Sequence, residues 1–235
     1  MLAKFTLFGS NDSGKTTTLR VLTYLLYQNA DPAHYVHFQR ANLPGKGILY
    51  PSPAQLNILS IPNKGGKNKS ADWRLSFNLI VPKIGKSVRI ALATPGDTEE
   101  EIIKNWDFAC NNDVYRLSQK EPEYIKPDIF ISPCSIGRAR DEEMMEENWH
   151  IQNGYSIDLM YWFHLPINET TPKVFSNIQW EIDLEALRNE LDENGVFDAG
   201  KRSSSVAKMT HQNKLDAIMF ALLLQKKIFE ILKLL

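Results

Sequence analysis

The chain is 235 residues long, 43% hydrophobic and nearly neutral, with a formal net charge of −1. That length suits a single α/β domain spanning 1–235 with a sizeable core, and it excludes a disordered or fibrous class. Two cysteines, Cys110 and Cys134, are too few for a disulfide framework and too far apart for a C-x-x-C motif, so a reducing cytoplasm is the expected setting.

The first residues already read as a strand, so no signal peptide is expected, and the Asn168-Glu169-Thr170 sequon carries no expected glycan. The longest uncharged apolar run near the end, 217–224, is too short to cross a bilayer, so no membrane span is expected. Charge is uneven along the chain. Residues 1–90 hold twelve Lys/Arg against three acids, leaving fifteen against twenty-five in the remainder. Two halves of one domain neutralise each other in this way, and no nucleic-acid module is recognisable.

In chain order, Leu2–Phe8 reads as a buried strand, followed by a glycine loop and a helix with Leu19, Leu22 and Leu26 at helical spacing. A long irregular insertion is predicted at about 31–70, rich in Pro and Gly, with a basic tip from Asn63 to Ser70. Trp73–Val81 and Ser87–Ala93 read as strands joined by a short link, hence an antiparallel hairpin. A helix from about Thr98 places Ile102, Ile103, Trp106 and Cys110 on one face. Asp128–Ser132 is a further strand, Arg138 to about Gln152 a helix, and Ser156–Leu165 another strand. Asp183–Asn194 reads as a helix with Leu184, Leu187 and Leu191 inward and Gly195 as its stop. A final helix at about 208–235 is apolar on more than one face. Burial against the sheet is the first reading of it, and a partner contact the second.

The loop Gly9-Ser10-Asn11-Asp12-Ser13-Gly14-Lys15-Thr16 fits G-x-x-x-x-G-K-[ST] at every fixed position. Its chemistry is phosphate binding. The backbone amides of Asn11, Asp12, Ser13 and Gly14 turn inward, Lys15 brings a point charge to the terminal phosphates, and Thr16 places a hydroxyl for Mg²⁺. Thr17 opens the helix whose N-terminal dipole favours anions.

On this motif and element order the chain resembles the P-loop NTPases, and among them the GTPase-like group with an antiparallel second strand. The resemblance in order covers residues 1–165, and the Walker A loop is its one specific motif. It implies a three-layer α/β fold with a mostly parallel sheet, one antiparallel strand from the hairpin, and helices on both faces. GTPase-like proteins carry D-x-x-G after that hairpin. Here the stretch is Ala93-Thr94-Pro95-Gly96-Asp97, with Ala93 where the Asp belongs and a carboxylate directly after the glycine. Gly96 keeps the place of a γ-phosphate contact. Asp97 either supplies the metal-shell carboxylate or helps to cap the next helix, where Thr98-x-x-Glu101 fits a capping box; the two roles are compatible. No N-K-x-D guanine signature follows the Ser156–Leu165 strand, so ATP is the default nucleotide over GTP.

Other candidates carry less chemistry. Asp128 begins its strand and so faces the wrong edge of an open sheet. Arg138 and Arg140 either hold phosphate or pair with neighbouring acids, and Cys134 reads as a small core residue. Ser70 is a weak candidate for a switch hydroxyl on Mg²⁺. His34 and His37 are three apart without a further ligand. The expectation is a cytoplasmic, Mg²⁺-dependent nucleoside-triphosphate-binding protein that hydrolyses ATP (or GTP), with Lys15 and Asp97 as its catalytic residues. The alternatives are a phosphotransferase that uses the Lys64–Lys69 loop and Arg138/Arg140 on a small acceptor, or a nucleotide-dependent switch. A protein partner is expected, if anywhere, at the 44–70 loop or the C-terminal helix.

Overall fold

The computed structural model describes residues 3–9, 13–41, 47–61, 72–82, 84–110, 113–114, 123–124, 127–153, 159–164, 181–194, 196–197 and 211–233. The tip Asn63–Ser70, residues 42–46, Ser10–Asp12, Gly195 and the linker 198–210 lie outside them, as do the site expectations that fall there: Asn11, Asp12, Ser70 and the Lys64–Lys69 loop.

The strands are β1 (Ala3–Gly9), β2 (Val36–Arg40), β3 (Ile48–Tyr50), β4 (Trp73–Ile80), β5 (Ser87–Ala93), β6 (Asp113–Val114), β7 (Glu123–Tyr124), β8 (Ile129–Ser135) and β9 (Leu159–His164). The helices are α1 (Lys15–Tyr27), α2 (Glu99–Cys110), α3 (Ala139–Asn153), α4 (Leu184–Glu193) and α5 (His211–Leu232). Seven strands form one mixed sheet in the order β3-β2-β4-β5-β8-β1-β9, and β6 with β7 makes a separate small ribbon.

The ladders β5–β8, β8–β1 and β1–β9 are parallel; β4–β5, β2–β4 and β2–β3 are antiparallel. The expected hairpin is therefore present as β4 and β5. The expectation of a single antiparallel strand in a mostly parallel sheet is corrected, because β2 and β3 extend the sheet beyond β4. They come from the stretch read as irregular at 31–70, where short 3₁₀ turns also form at Pro53–Gln55 and Ile58–Ser60. Proline and glycine density marked that segment as loop, yet Val36-His37-Phe38 alternates in burial, and His37 and Phe38 pair with Ser76 and Leu75 of β4.

Strand alternation builds a core on each face. Ala3, Phe5 and Leu7 of β1, with Ile90, Leu92, Ile129 and Ile131, join the large cluster that contains Leu19, Leu22 and Leu26 of α1 and Ile218, Leu224 and Ile228 of α5. Phe8, Ala91, Ala93, Phe130 and Cys134 point the other way and cluster with Ile102, Trp106 and Cys110 of α2. In α2, Ile103 is only half-buried, while Asn105, Phe108 and Ala109 join the inner face. In α4, Leu187 and Leu191 are buried and Leu184 packs at the margin, and the Asp183 carboxylate caps the helix by accepting from the amides of Glu185 and Ala186. The last helix, α5, packs beside α1 and α4, with Gln225 Nε2 donating to the carbonyl of Leu25 at 3.1 Å, and its buried face joins the same core cluster as the sheet residues. No helix among the described residues is long and apolar enough to cross a membrane.

Candidate functional site

The ends of three parallel strands meet at one edge of the sheet. Gly9 closes β1 in register with Ser135 of β8, and the Ser135 amide donates to the Gly96 carbonyl beyond β5 at 3.0 Å. Strand β8 thus lies between β1 and β5, and the 94–97 loop reaches the glycine loop across it. Pro133 is tolerated inside this strand for the same reason. Its nitrogen faces the β5 side, as that of Ser135 does, and the β5–β8 ladder ends earlier, at Leu92 and Ile131.

Helix α1 begins on Gly14, which adopts φ 88 and ψ 8 and accepts the Thr18 amide at 2.9 Å. This left-handed geometry is cheap only for glycine. Lys15 reaches back to the end of β1, so that Nζ donates to the Gly9 carbonyl at 3.1 Å and lies 3.4 Å from Asp97 Oδ1. Lys15 is buried, whereas the Asp97 carboxylate is half-exposed. The Thr16 hydroxyl donates to the Thr94 carbonyl at 3.2 Å. Ser13 Oγ is buried with no hydrogen-bond partner among the described residues, and Thr17 sits half-buried in the first turn of α1. A buried hydroxyl lacking a partner beside a helix N-terminus and an ammonium fits an anion's oxygens.

Three successive carbonyls, 94 to 96, hold the 94–97 loop in place. Thr94 O accepts from Thr16 of α1, Pro95 O from Asn105 Nδ2 of α2 at 2.6 Å, and Gly96 O from Ser135 of β8. Asn105 is itself held by Arg74 Nε of β4 at 2.8 Å. Asp97 and Thr98 also form the start of α2: both amides donate to Glu101 Oε2, and the Glu101 amide donates to Thr98 Oγ1 at 3.2 Å. The capping box and an Asp97 carboxylate facing Lys15 coexist. Ala93 is fully buried in the apolar cluster of Phe8, Ile102 and Trp106, so the strand-end carboxylate that the resemblance implies has no counterpart there.

The remaining candidates resolve into local contacts. Asp128 lies at the opposite edge, where its carboxylate accepts from the Arg89 amide at 2.7 Å. Arg138 pairs with Asp141 at 3.4 Å. Cys134 is buried, and burial with the nearby Glu142 charge pushes its thiol up to about 12, which removes it as a nucleophile. His34 bonds Asp31 at 2.9 Å while His37 stacks on Phe108, so the two rings do not converge.

Sequence reasoning missed a second polar group beneath this edge. Lys4 of β1 is fully buried on the α2/α3 face, donating to Ser132 Oγ at 2.7 Å and Thr6 Oγ1 at 2.9 Å, with Glu142 Oε1 of α3 at 2.8 Å. The Phe130 ring lies 4.5 Å from the ammonium. One turn along α3 from Glu142, Glu146 is pushed up to about 7 by burial, aided by Glu142 and Glu143 and opposed by Lys4. A polar residue at every second position of an otherwise apolar strand was the available signal: Lys4 and Thr6 share one face.

The raised Glu146 carboxyl has a pH signature. The folded state binds its proton more tightly than the unfolded state does, so this group's contribution is full below about pH 4.5 and is lost as pH rises through about 7. Glu146→Gln removes that loss. The difference in melting temperature, Gln variant minus wild type, is expected to be near zero at about pH 5 and to grow towards about pH 8 in thermal melts. A difference independent of pH would show that Glu146 does not titrate in this range.

No family model matches the chain, and no curated protein or solved structure matches it either.

Proposed function

We propose that this chain binds a nucleoside triphosphate with Mg²⁺ at the 9–16 loop and hydrolyses its terminal phosphate, with ATP as the default nucleotide. The reading refines the mixed α/β architecture to a three-layer P-loop NTPase fold. The observation that carries it is the convergence of Lys15 Nζ, the Thr16 hydroxyl and the Asp97 carboxylate at one sheet edge, from positions about 80 residues apart. The buried Ser13 hydroxyl, without a partner among the described residues, adds a further polar group at the same loop.

In this reading the amides opening α1, Lys15 and Ser13 hold the phosphates, and Gly96 lies where a γ-phosphate would approach. Thr16 and Asp97 would hold Mg²⁺, which when bound neutralises charge across the β- and γ-phosphate oxygens. Water attacks the γ-phosphorus, the bond to the bridging oxygen breaks, and the nucleoside diphosphate and phosphate leave, with one proton passing to solvent or phosphate. A Lys15 ammonium shared between Gly9 and Asp97 is already aimed along the loop, so little reorientation is needed to meet phosphate. The nucleotide-dependent switch remains the second reading, favoured by the buried Ala93, whose missing carboxylate would leave binding with slow turnover.

The test is calorimetric binding of ATP, GTP, CTP and UTP together with phosphate release, on wild type, Lys15→Ala and Asp97→Ala. Lys15→Ala is expected to lower affinity by about a hundredfold, the cost of one or two charge-assisted bonds. Asp97→Ala is expected to weaken binding with Mg²⁺, yet to equal or exceed wild type in EDTA, because Asp97 and phosphate compete for one ammonium. Wild type that binds none of the four, or a Lys15→Ala variant indistinguishable from it, ends this reading.

A further inference from the structure

The expected carboxylate at the end of β5 is replaced by Ala93, yet the Thr16 hydroxyl is not left without an acceptor. A hydroxyl that ligates a cation keeps its proton, which must be donated elsewhere if the lone pairs are to face the metal. We propose that Thr94 and Asp72 together perform the task of the missing carboxylate: the Thr94 carbonyl accepts the hydrogen bond that the Thr16 hydroxyl donates, and Asp72 fixes Thr94 in place to do so. The proposal rests on the nucleotide- and Mg²⁺-binding reading above and deepens it by assigning two positioning residues.

The Thr94 hydroxyl makes the assignment specific. It accepts from the Trp73 amide at 2.9 Å, and its single proton has two possible acceptors, Asp72 Oδ1 at 3.3 Å and the Trp73 carbonyl at 3.2 Å. The Trp73 carbonyl already accepts the Thr94 amide at 3.0 Å, and a carboxylate oxygen is a stronger acceptor than an amide carbonyl. The proton therefore goes to Asp72. Arg20 of α1 and Arg74 of β4 both lie within electrostatic reach of Asp72, and Arg20 sits over the Trp73 ring.

Position matters because a carbonyl acceptor, unlike a carboxylate on a side chain, cannot swing. Thr94 is almost fully buried, its amide and hydroxyl are tied to Trp73 at the start of β4, and the following Pro95 has its carbonyl held by Asn105. Across the antiparallel ladder Ala93 pairs with Arg74, so Asp72 lies just beyond the end of β5 on the neighbouring strand. The acid lost from one strand end is present at the end of the next, one hydroxyl further from the cation.

The test is a Mg²⁺ titration of nucleotide affinity by calorimetry with a non-hydrolysable ATP analogue, on wild type, Thr94→Val, Thr94→Ser, Asp72→Ala and Asp72→Asn. Thr94→Val and Asp72→Ala are expected to raise the Mg²⁺ midpoint about tenfold, one hydrogen bond's worth, and to leave affinity in EDTA within about twofold. Thr94→Ser and Asp72→Asn each retain the needed hydroxyl or acceptor oxygen and are expected to stay within about threefold of wild type. Should Thr94→Val not fold, Asp72→Ala carries the same comparison. Variants that titrate like wild type, or that weaken binding equally with and without Mg²⁺, overturn the proposal while the nucleotide reading stands. Wild type that binds no nucleotide overturns both.

Discussion

Gly96→Ala is expected to destabilise the fold by about 3 kcal/mol and to lower the melting temperature by about 6–12 °C. A Cβ at position 96 would lie 2.2 Å from the Pro133 carbonyl oxygen and 2.7 Å from its carbon, both backbone atoms of an internal strand that cannot swing aside. The 94–97 loop must then lift from β8, which also breaks the bond from the Ser135 amide to the Gly96 carbonyl. Overpacking and the lost bond act at one place, so their costs combine. Gly137→Ala is the matched control, since a Cβ there meets nothing within 4 Å, and it is expected to leave the melt unchanged. The comparison also bears on function. The close approach to Pro133 by itself requires glycine at 96, so a phosphate contact is not needed to explain the residue. If Gly96→Ala melted like Gly137→Ala, the tight packing of the loop on β8 would be wrong.

Lys4→Met is expected to cost about 3–5 kcal/mol, the loss of one partner from a buried ion pair. The ammonium is fully buried, Glu142 is 1% exposed, and Glu142 Oε2 has no hydrogen-bond partner among the described residues. Removing the cation leaves that carboxylate desolvated and uncompensated, and withdraws the one charge that opposes the upward shift at Glu146. The double variant Lys4→Met/Glu142→Leu is expected to recover most of the loss, because an apolar pair of similar volume avoids both desolvation costs. Chemical denaturation of the two variants measures it. A double variant no better than Lys4→Met alone would locate the cost in packing rather than in charge.

Much of the fold was legible because its signals are local. The spacing of Leu19, Leu22 and Leu26 marked α1, the short link at 82–86 marked the β4–β5 hairpin, and Thr98 with Glu101 marked the start of α2. Strands β2 and β3 were missed because proline and glycine nearby resemble loop, and three to five residues of alternation are too few to outweigh them. Asn105 was missed because one amide on an apolar helix face has no periodic signature, although its two bonds tie β4 to the 94–97 loop.

By itself, the sequence determined the 9–16 loop in its strand–loop–helix setting and the nearness of Asp97 to a helix cap, since both are set by residues a few positions apart. Only the tertiary structure decided which groups meet there. Sheet order places β8 between β1 and β5, brings Asp97 to Lys15 and the Thr94 carbonyl to Thr16, and buries Lys4 against Glu142 across 138 positions of chain. The physical reason is the range of the forces involved. Turn geometry and capping act within one or two turns of chain, whereas a hydrogen bond or ion pair between strands exists only once hydrophobic burial has fixed which strands are neighbours.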